Sequence, residues 1–197
     1  MKHDFPQTLA TRRLLLRRYR EEDATGLVEL VCTNRTELTR DFAQITLILK
    51  VEDARAFIQQ KNEEWIADGS RCYGVWLKEE QGQIGQIYVK KINWNIPSAE
   101  LSYFIGKRWQ RRGYACESIE SILVFVFTEM QFQRILLRIL ASNLPSLELA
   151  KKLGFREEGL HPKEFRCGFG ELHDVYHHAL TAPNWSRPGK EKPMVHG

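Results

Sequence analysis

The sequence predicts one domain of the α/β class, and three observations support this. Segments with the apolar pattern of strands alternate along the chain with segments whose apolar residues recur at helical spacing. At 197 residues, the chain has the size of one domain with one sizeable core. Hydrophobic residues make up 43% and charged residues 27% of the chain, which is ordinary for a globular protein.

The first half of the domain is predicted to contain two helices between its first strands. Leu14 and Leu16 lie on one face of the first predicted strand, and we expect the arginines around them to be solvated on an outer strand. Gly69 is a plausible end for the second helix, because glycine is common directly after a helix. In order, we predict a loose lead-in at 1–10, a strand at 12–19, a helix at 21–33, an irregular segment at 34–50, a helix at 51–68 and strands at 72–77 and 84–90.

The second half of the domain begins with the central strand and ends in a tail. Its first helix is marked by apolar residues that recur on one helical face from Ala115 to Phe127. In order, we predict the central strand at 100–106, a helix at 115–127, a strand at 135–140, a helix that opens at 143–146, strands at 155–160 and 175–180, and between these two a mobile hairpin loop at 162–171. The domain is expected to span 11–182, and the Pro-, Gly- and Lys-rich residues 183–197 to form a flexible tail.

The chain is organised around the turn that joins the central strand to the next helix. This turn reads Gln110-Arg111-Arg112-Gly113-Tyr114-Ala115. The first N–H groups of a helix lack internal partners, and the helix dipole adds positive potential there. Gly113 has no Cβ, so a ligand can approach its backbone closely, while Arg111 and Arg112 add positive charge. The turn therefore indicates a phosphate-binding site.

The motif Gln110-x-x-Gly113-x-Ala115 resembles the acetyl-coenzyme A loop of the GCN5-related N-acetyltransferases, the GNAT family, whose pattern is Gln/Arg-x-x-Gly-x-Gly/Ala. Asn143-Leu144-Pro145-Ser146, followed by Lys152-Leu153-Gly154-Phe155, is similar to the second signature of that family. The opening Thr11-x-Arg13-Leu14-x-Leu16-Arg17, followed by Asp23-Ala24, resembles the RimJ/RimL branch, which acetylates protein N-termini. The resemblance extends over residues 11–180. It implies the GNAT fold, a curved mixed sheet with helices on both faces.

The resemblance also implies acetyl-CoA as the cosubstrate. Two central parallel strands splay apart in the family, so the backbone of Phe104 and Ile105 is expected to pair with the pantetheine arm. The first two helices and their connection form one wall of the acceptor site there, which makes 34–42 the expected acceptor contact. The cofactor-binding residues that the resemblance implies are Phe104, Ile105, Gln110, Arg111, Arg112, Gly113, Tyr114, Ala115, Asn143 and Lys151.

Acetyl transfer from a thioester to an amine requires a base for the amine and a proton donor for the departing thiolate. Glu100, on the central strand, is the expected base, because a strand glutamate at the corresponding place often has this role in the branch that the chain resembles. The alternative is that Glu100 forms a surface contact or a salt bridge. Ser146 is the expected acid, and its alternative role is helix capping together with Asn143. Many family members use a tyrosine as the acid, but no tyrosine lies near Ser146 in the sequence.

Composition and spacing argue against several other classes of protein. No apolar run approaches the roughly 20 residues that span a bilayer, and no secretory signal is recognisable, so we expect no membrane contact. The four cysteines are far apart, which predicts free thiols in a reducing cytoplasm. A net charge of +4 fits an anionic ligand but does not indicate nucleic-acid binding. His177 and His178 would point to opposite faces of a strand, so no metal site is expected.

Three functions remain open at this point. The first is acetylation of the N-terminal α-amine of a protein, for example a ribosomal protein. The second is acetylation of a small amine such as a polyamine, an amino acid analogue or an antibiotic. The third is a non-catalytic module that senses acetyl-CoA. The intact turn, together with Glu100, Asn143 and Ser146, favours catalysis, and a homodimer is also left open.

Overall fold

The computed structural model describes residues 5–67, 69–80 and 82–185 of the chain. They form an eight-stranded sheet and five α-helices. The strands are β1 Thr8–Ala10, β2 Leu14–Arg18, β3 Arg71–Leu77, β4 Gln83–Asn93, β5 Ser98–Ile105, β6 Arg134–Leu140, β7 Arg156–Arg166 and β8 Leu172–Thr181. The helices are α1 Ala24–Thr33, α2 Arg35–Asp41, α3 Val51–Ile66, α4 Tyr114–Thr128 and α5 Leu144–Lys152.

The sheet is mixed, as expected, and its strand order is β1-β2-β3-β4-β5-β6-β8-β7. Each neighbouring pair of strands is antiparallel except β5 and β6, which run parallel. Parallel neighbours need a crossover connection, and here α4 supplies it. The one parallel pair therefore lies beside the turn that the sequence motif singles out.

Two apolar clusters cover the two faces of the sheet. On one face, residues of α4 such as Ile119 and Val126 pack with Leu101 of β5. On the other face, Leu27 of α1 and Ile58 of α3 pack with Phe104 of β5. Leu101 and Phe104 are separated by an odd number of positions on the same strand, so their side chains point to opposite faces. This confirms a three-layer α/β arrangement with helices on both sides.

The N-terminal lead-in was expected to be loose, and the structure corrects this for residues 5–10. Phe5 is a buried core residue, and β1 pairs with β2. The Tyr73 hydroxyl also donates a hydrogen bond to the Pro6 carbonyl at 2.8 Å. The strand at β1 is only three residues long, too short for an apolar alternation to reveal it. Residues 1–4 lie outside the described part of the chain.

The expected loop at 162–171 is instead the end of a long β-hairpin. Strand β7 continues to Arg166, through Pro162, and β8 begins at Leu172. Proline lacks an N–H but is tolerated here, because β7 is the edge strand of the sheet and has a bulge between His161 and Phe165. The hairpin tip also contacts α2, since the Gly168 N–H donates to the Thr39 carbonyl at 2.8 Å.

Three smaller differences from the prediction concern the start of the first helix, an additional helix and the start of the C-terminal segment. The helix expected at 21–33 begins with a 3-10 turn at Glu21–Asp23, and α2 lies within the segment that was expected to be irregular. The expected tail at 183–197 is corrected for its first residues, because the Trp185 ring stacks on Phe127 with centroids 5.2 Å apart. Residues 186–197 lie outside the described part. Among the described residues, no helix has the length and apolarity to cross a membrane.

Candidate active site

Strands β5 and β6 separate halfway along their length. They pair from Ser98 with Arg134 to Leu101 with Leu137, and the pairing stops there. Strand β5 continues to Ile105 while paired only with β4, and β6 continues while paired only with β8. Within the described residues, the β6-facing edge of β5 beyond Leu101 has no strand partner. Its N–H and C=O groups can therefore bind an extended ligand, except that the Ile105 carbonyl already accepts a hydrogen bond from the Gln110 side chain.

The turn between β5 and α4 closes one end of this opening. Gly113 precedes the first residue of α4 and has a left-handed backbone with φ of 81°. Arg111 is also left-handed, with φ of 59°. A turn with this backbone can present several N–H groups to one anion in front of the helix N-terminus. The Gln110 side chain holds the turn to the strand by donating to the Ile105 carbonyl at 2.9 Å.

Arg13 forms several contacts that support this turn. Its Nε donates to the Glu117 carboxylate in the first turn of α4 at 2.7 Å, and its Nη1 donates to the Arg112 carbonyl at 3.1 Å. The guanidinium also lies over the Tyr114 ring, 4.5 Å from its centroid. Burial alone would raise the pKa of Glu117, but the hydrogen bonds from the Thr11 hydroxyl and from Arg13 outweigh it and lower the pKa. These contacts hold the turn in shape before any ligand binds.

A groove of about 680 Å³ runs from this turn along the opening between the strands. Of the sequence-predicted binding residues, it is lined by Phe104, Ile105, Gln110, Arg111, Gly113, Tyr114, Ala115 and Asn143. Arg112 and Lys151 do not line it. The Arg112 carbonyl faces Arg13, and the helical position that reaches the groove belongs to Lys152, one residue after Lys151. Arg112 and Lys151 therefore stay predictions that the groove lining does not include.

The start of α5 lines the other side of the groove. Asn143 is the N-cap of this helix, and its Oδ1 accepts a hydrogen bond from the Ser146 N–H at 3.2 Å. Capping is therefore done by the Asn143 side chain, which uses only the backbone of Ser146. The Ser146 side chain lines the groove instead.

A second, smaller cavity of about 120 Å³ joins the groove near α5. The predicted acceptor segment reaches both cavities, because Asp41 and Phe42 line each of them. Phe165 of the β7–β8 hairpin lines the smaller cavity from the other side. This cavity, which we call the acceptor pocket, extends down to Glu100. A ligand in the groove and a second ligand in the acceptor pocket can therefore meet where the two cavities adjoin.

Glu100 lies at the inner end of the acceptor pocket and is 3% exposed. Its carboxylate forms ion pairs with Lys90 at 3.1 Å and Lys91 at 2.8 Å. Burial by itself would raise the pKa of Glu100, but the two ammonium groups outweigh it and lower the pKa. The salt-bridge alternative is therefore realised. A carboxylate held this way is ionised but has little affinity for a further proton.

Tyr103 is a residue that the sequence analysis missed. It lies on β5, lines both cavities and has its hydroxyl buried beside Ser146. Burial raises the pKa of Tyr103, so the hydroxyl keeps its proton. Tyr103 and Ser146 are 43 positions apart, and only the packing of α5 beside β5 brings them together. The expectation that no tyrosine lies near Ser146 holds along the sequence but is wrong in space.

The histidines of the β7–β8 hairpin differ in their burial and in their contacts. His178 is fully buried and His177 faces the outer side, so the two point to opposite faces as predicted. His161, Glu164 and His177 offer ligand atoms within 4.8 Å of one another. Arg138 already pairs with Glu164 at 2.8 Å, and the two imidazole rings stack at 3.7 Å. These contacts give the cluster a structural role within the hairpin.

Comparison with known proteins places this geometry in a family. The p20 protein of Bacillus licheniformis, an uncharacterised N-acetyltransferase, is 30% identical over 174 residues, which cover 88% of this chain and 96% of p20. The ribosomal protein uS5-alanine N-acetyltransferase of Escherichia coli is 26% identical over 188 residues, 92% of this chain and 94% of that protein. Mycobacterium smegmatis RimJ, in complex with CoA disulfide, has the same fold with a TM-score of 0.80 at 21% identity, covering 89% of this chain and 87% of that one.

The match to a family model decides the assignment. The model for the acetyltransferase (GNAT) domain matches residues 13–156, which is more than half of the chain. This range contains the splayed strands, the turn before α4 and the start of α5. The chain therefore belongs to the GNAT family and is an acetyl-transferring enzyme, an N-acetyltransferase.

Proposed function

We propose that the enzyme transfers an acetyl group from acetyl-CoA to the N-terminal α-amine of a protein. The observation that carries this is the meeting of the groove and the acceptor pocket between the separated ends of β5 and β6. The Escherichia coli relative that acetylates ribosomal protein uS5, and the structural similarity to RimJ, support the choice of a protein acceptor. Four free cysteines also suit a reducing location such as the cytoplasm.

The groove has the features that acetyl-CoA needs. The left-handed backbone of Gly113 and the N-terminus of α4 provide N–H groups for the pyrophosphate. A Cβ at Gly113 would lie 3.3 Å from the Arg13 guanidinium, so any side chain there would have to displace the arginine that supports the turn. The unpaired edge of β5 at Phe104 and Ile105 can bind the amide groups of pantetheine in the manner of an added strand. CoA bound to the structural neighbour RimJ is consistent with this proposal.

In the reaction, the neutral amine nitrogen forms a bond to the acetyl carbon, and the carbon–sulfur bond breaks. The amine loses one proton in total when it starts neutral, and the departing thiolate gains one. A free α-amino group has a pKa of roughly 8, so water or a weak carboxylate suffices as a base near neutral pH. Glu100 stays the proposed base, acting through water because the two lysines occupy its carboxylate. Ser146 and Tyr103 are the proposed proton donors to the thiolate.

The charges of the acceptor pocket distinguish a peptide from a polyamine. Asp41 and Glu100 line the pocket together with Lys90 and Arg138, so carboxylates and cations are equal in number. A polyamine carries several positive charges, and a lining without an excess of carboxylates offers these charges no net attraction. A peptide N-terminus carries a single ammonium group followed by neutral backbone. The pocket therefore suits a peptide better than a polyamine.

The proposed function is tested by measuring thiol release with acetyl-CoA and a panel of acceptors. The panel contains hexapeptides with free N-terminal alanine, serine or methionine, the same peptides with blocked N-termini, and spermidine. We expect release with at least one free peptide and none with its blocked form, and mass spectrometry should place the acetyl group on the N-terminus. Release with spermidine but with no peptide would reject the protein acceptor and favour a small amine.

A further inference from the structure

The groove and the acceptor pocket share a small set of lining residues. Those that line both are Asp41, Phe42, Tyr103, Asn143 and Ser146. A donor in the groove and an acceptor in the pocket can react only where the two cavities join. These side chains, which we call the junction, therefore surround the reacting atoms.

Asp41 is the acidic member of the junction. Of the described carboxylates that line either cavity, Glu37 and Glu148 line only the groove, and Glu100 lines only the acceptor pocket. Asp41 alone lines both. Its side chain is 15% exposed. Charge interactions are stronger in such a partly desolvated place than in water, so this carboxylate is well placed to bind a cation.

Asp41 also lies directly across from the start of α5. Its Oδ2 is 3.4 Å from the Asn143 side-chain nitrogen, which donates to it. The other side-chain atom of Asn143 accepts from the Ser146 N–H. The carboxylate is thus linked through one residue to the proposed proton donor. An amine bound to Asp41 would stand close to the place where the thiolate leaves.

The existing partner of Asp41 leaves the carboxylate accessible. Arg40, the preceding residue, donates to both carboxylate oxygens at 2.6 and 3.0 Å, but its side chain is 45% exposed. This ion pair is bidentate, but its guanidinium belongs to a half-exposed side chain that can turn into solvent, so an incoming ammonium group can compete with Arg40 for the carboxylate. Glu100 differs, because two lysines pair with its carboxylate and its side chain is only 3% exposed.

We propose that Asp41 binds the ammonium group of the acceptor and holds its nitrogen at the junction. The enzyme then selects cationic primary amines over neutral groups of the same shape. This inference rests on the proposed function, since it gives Asp41 a role toward the same acceptor. A primary ammonium has three donors and no acceptor, which matches a carboxylate and not the neutral amide of an asparagine.

The test compares the amine with a hydroxyl of the same shape. The acceptor hexapeptide with N-terminal alanine and its analogue with an α-hydroxyl in place of the amine are titrated by calorimetry into the enzyme saturated with CoA. We expect the wild type to bind the amine at least tenfold more tightly and Asp41→Asn to bind both equally, because a charged hydrogen bond is lost. In turnover, Asp41→Asn should raise the KM for the peptide about tenfold, and Asp41→Glu should restore part of it.

The control is Glu79→Gln, which removes the same charge in the exposed turn between β3 and β4 and should change neither measurement. If the wild type acetylates peptides but Asp41→Asn keeps both the KM and the preference for amine, the inference is wrong and the proposed function stands. If the wild type acetylates only spermidine, the proposed function fails. The KM of Asp41→Asn for spermidine then decides the inference, because an unchanged value overturns it and a raised value supports it.

Discussion

Arg13 and Glu117 join the N-terminal segment to the first turn of α4, through a hydrogen bond of 2.7 Å between Nε and Oε2. The Arg13 N–H and the Thr11 hydroxyl donate to the other oxygen of the same carboxylate. Glu117 thus collects three donors from residues that precede β2. The turn before α4, which we propose binds phosphate, is therefore supported by a segment about a hundred residues earlier in the sequence.

This support predicts that Arg13→Ala weakens CoA binding although Arg13 is outside the groove lining. Without the guanidinium, the Arg112 carbonyl and the Glu117 carboxylate lose a donor, and the turn can sample other conformations. We expect the Kd for CoA, measured by calorimetry, to rise about tenfold, and the free energy of unfolding to fall by about 1 kcal/mol. Arg12→Ala, at the exposed neighbouring position, is the control and should change neither. An unaltered Kd in Arg13→Ala would show that the turn keeps its shape unaided.

A second prediction concerns Gly113. Gly113→Glu should abolish CoA binding, since it adds bulk and negative charge beside the phosphates. Gly113→Ala should weaken binding and also cost about 1 kcal/mol of stability, because φ of 81° is unfavourable for alanine.

Gly170→Ala separates backbone strain from ligand exclusion. Gly170 has φ of 89°, and a Cβ there meets nothing within 4 Å, so the variant carries the same strain at a position that does not line the groove. We expect it to lose similar stability and to keep full affinity for CoA in calorimetry. Retained CoA affinity in a folded Gly113→Glu protein would rule out the turn as the phosphate site.

The turn was predictable because its signal is local. Gln110, Gly113 and Ala115 lie within six residues, and the backbone geometry they require is set by that short stretch. The helices α3 and α4 were also predictable, because each buries one repeating face, and β5 was predictable as an apolar run that is buried on both faces. The mixed sheet and the fold followed from the resemblance that these same motifs carry.

The parts that could not be predicted depend on contacts between distant segments. Tyr103 reaches Ser146 only because α5 packs beside β5, and no local pattern records that. The residues 162–171 were predicted to form a loop, since the sequence does not show that β7 is an edge strand, in which Pro162 is tolerated. Helix α2 buries only Leu38, so a seven-residue helix had no periodicity to recognise. The expected base, Glu100, could not be weighed against Lys90 and Lys91 before the register of β4 and β5 was known.

A third prediction separates capping from proton donation at the start of α5. Asn143 does the capping, so Asn143→Ala should lower the free energy of unfolding by about 1 kcal/mol. Ser146→Ala should leave that free energy unchanged and lower turnover tenfold to a hundredfold, the scale of a lost proton donor. Steady-state kinetics and chemical denaturation of both variants provide the measurements.

Tyr103→Phe tests whether the serine acts alone. If both hydroxyls donate to the thiolate, each single variant should lose turnover and the double variant should lose less than the product of the two. A Ser146→Ala variant that is less stable but fully active would assign the serine to the helix and not to the reaction.

The last prediction concerns Glu100, the proposed base, which two lysines hold in its ionised form. Because its pKa is lowered in the folded protein, its ionisation stabilises the fold at pH values above the ordinary glutamate pKa of 4.5. That stabilisation disappears as the pH falls through the lowered pKa. Glu100→Gln, which cannot titrate, should therefore lose less stability than the wild type on acidification below pH 4.5 in chemical denaturation. Glu158→Gln, which removes an exposed ion pair with Arg134 outside the site, is the control for a general loss of charge.

As the base, Glu100 should also matter for turnover. Its low proton affinity places the expected loss of turnover in Glu100→Gln near a hundredfold at neutral pH, the lower end for general-base catalysis. The loss should shrink above about pH 8, where the α-amine is already neutral. Turnover equal to that of the wild type at every pH, together with the altered acid stability, would make Glu100 an ion-pair residue of the pocket and leave water as the base.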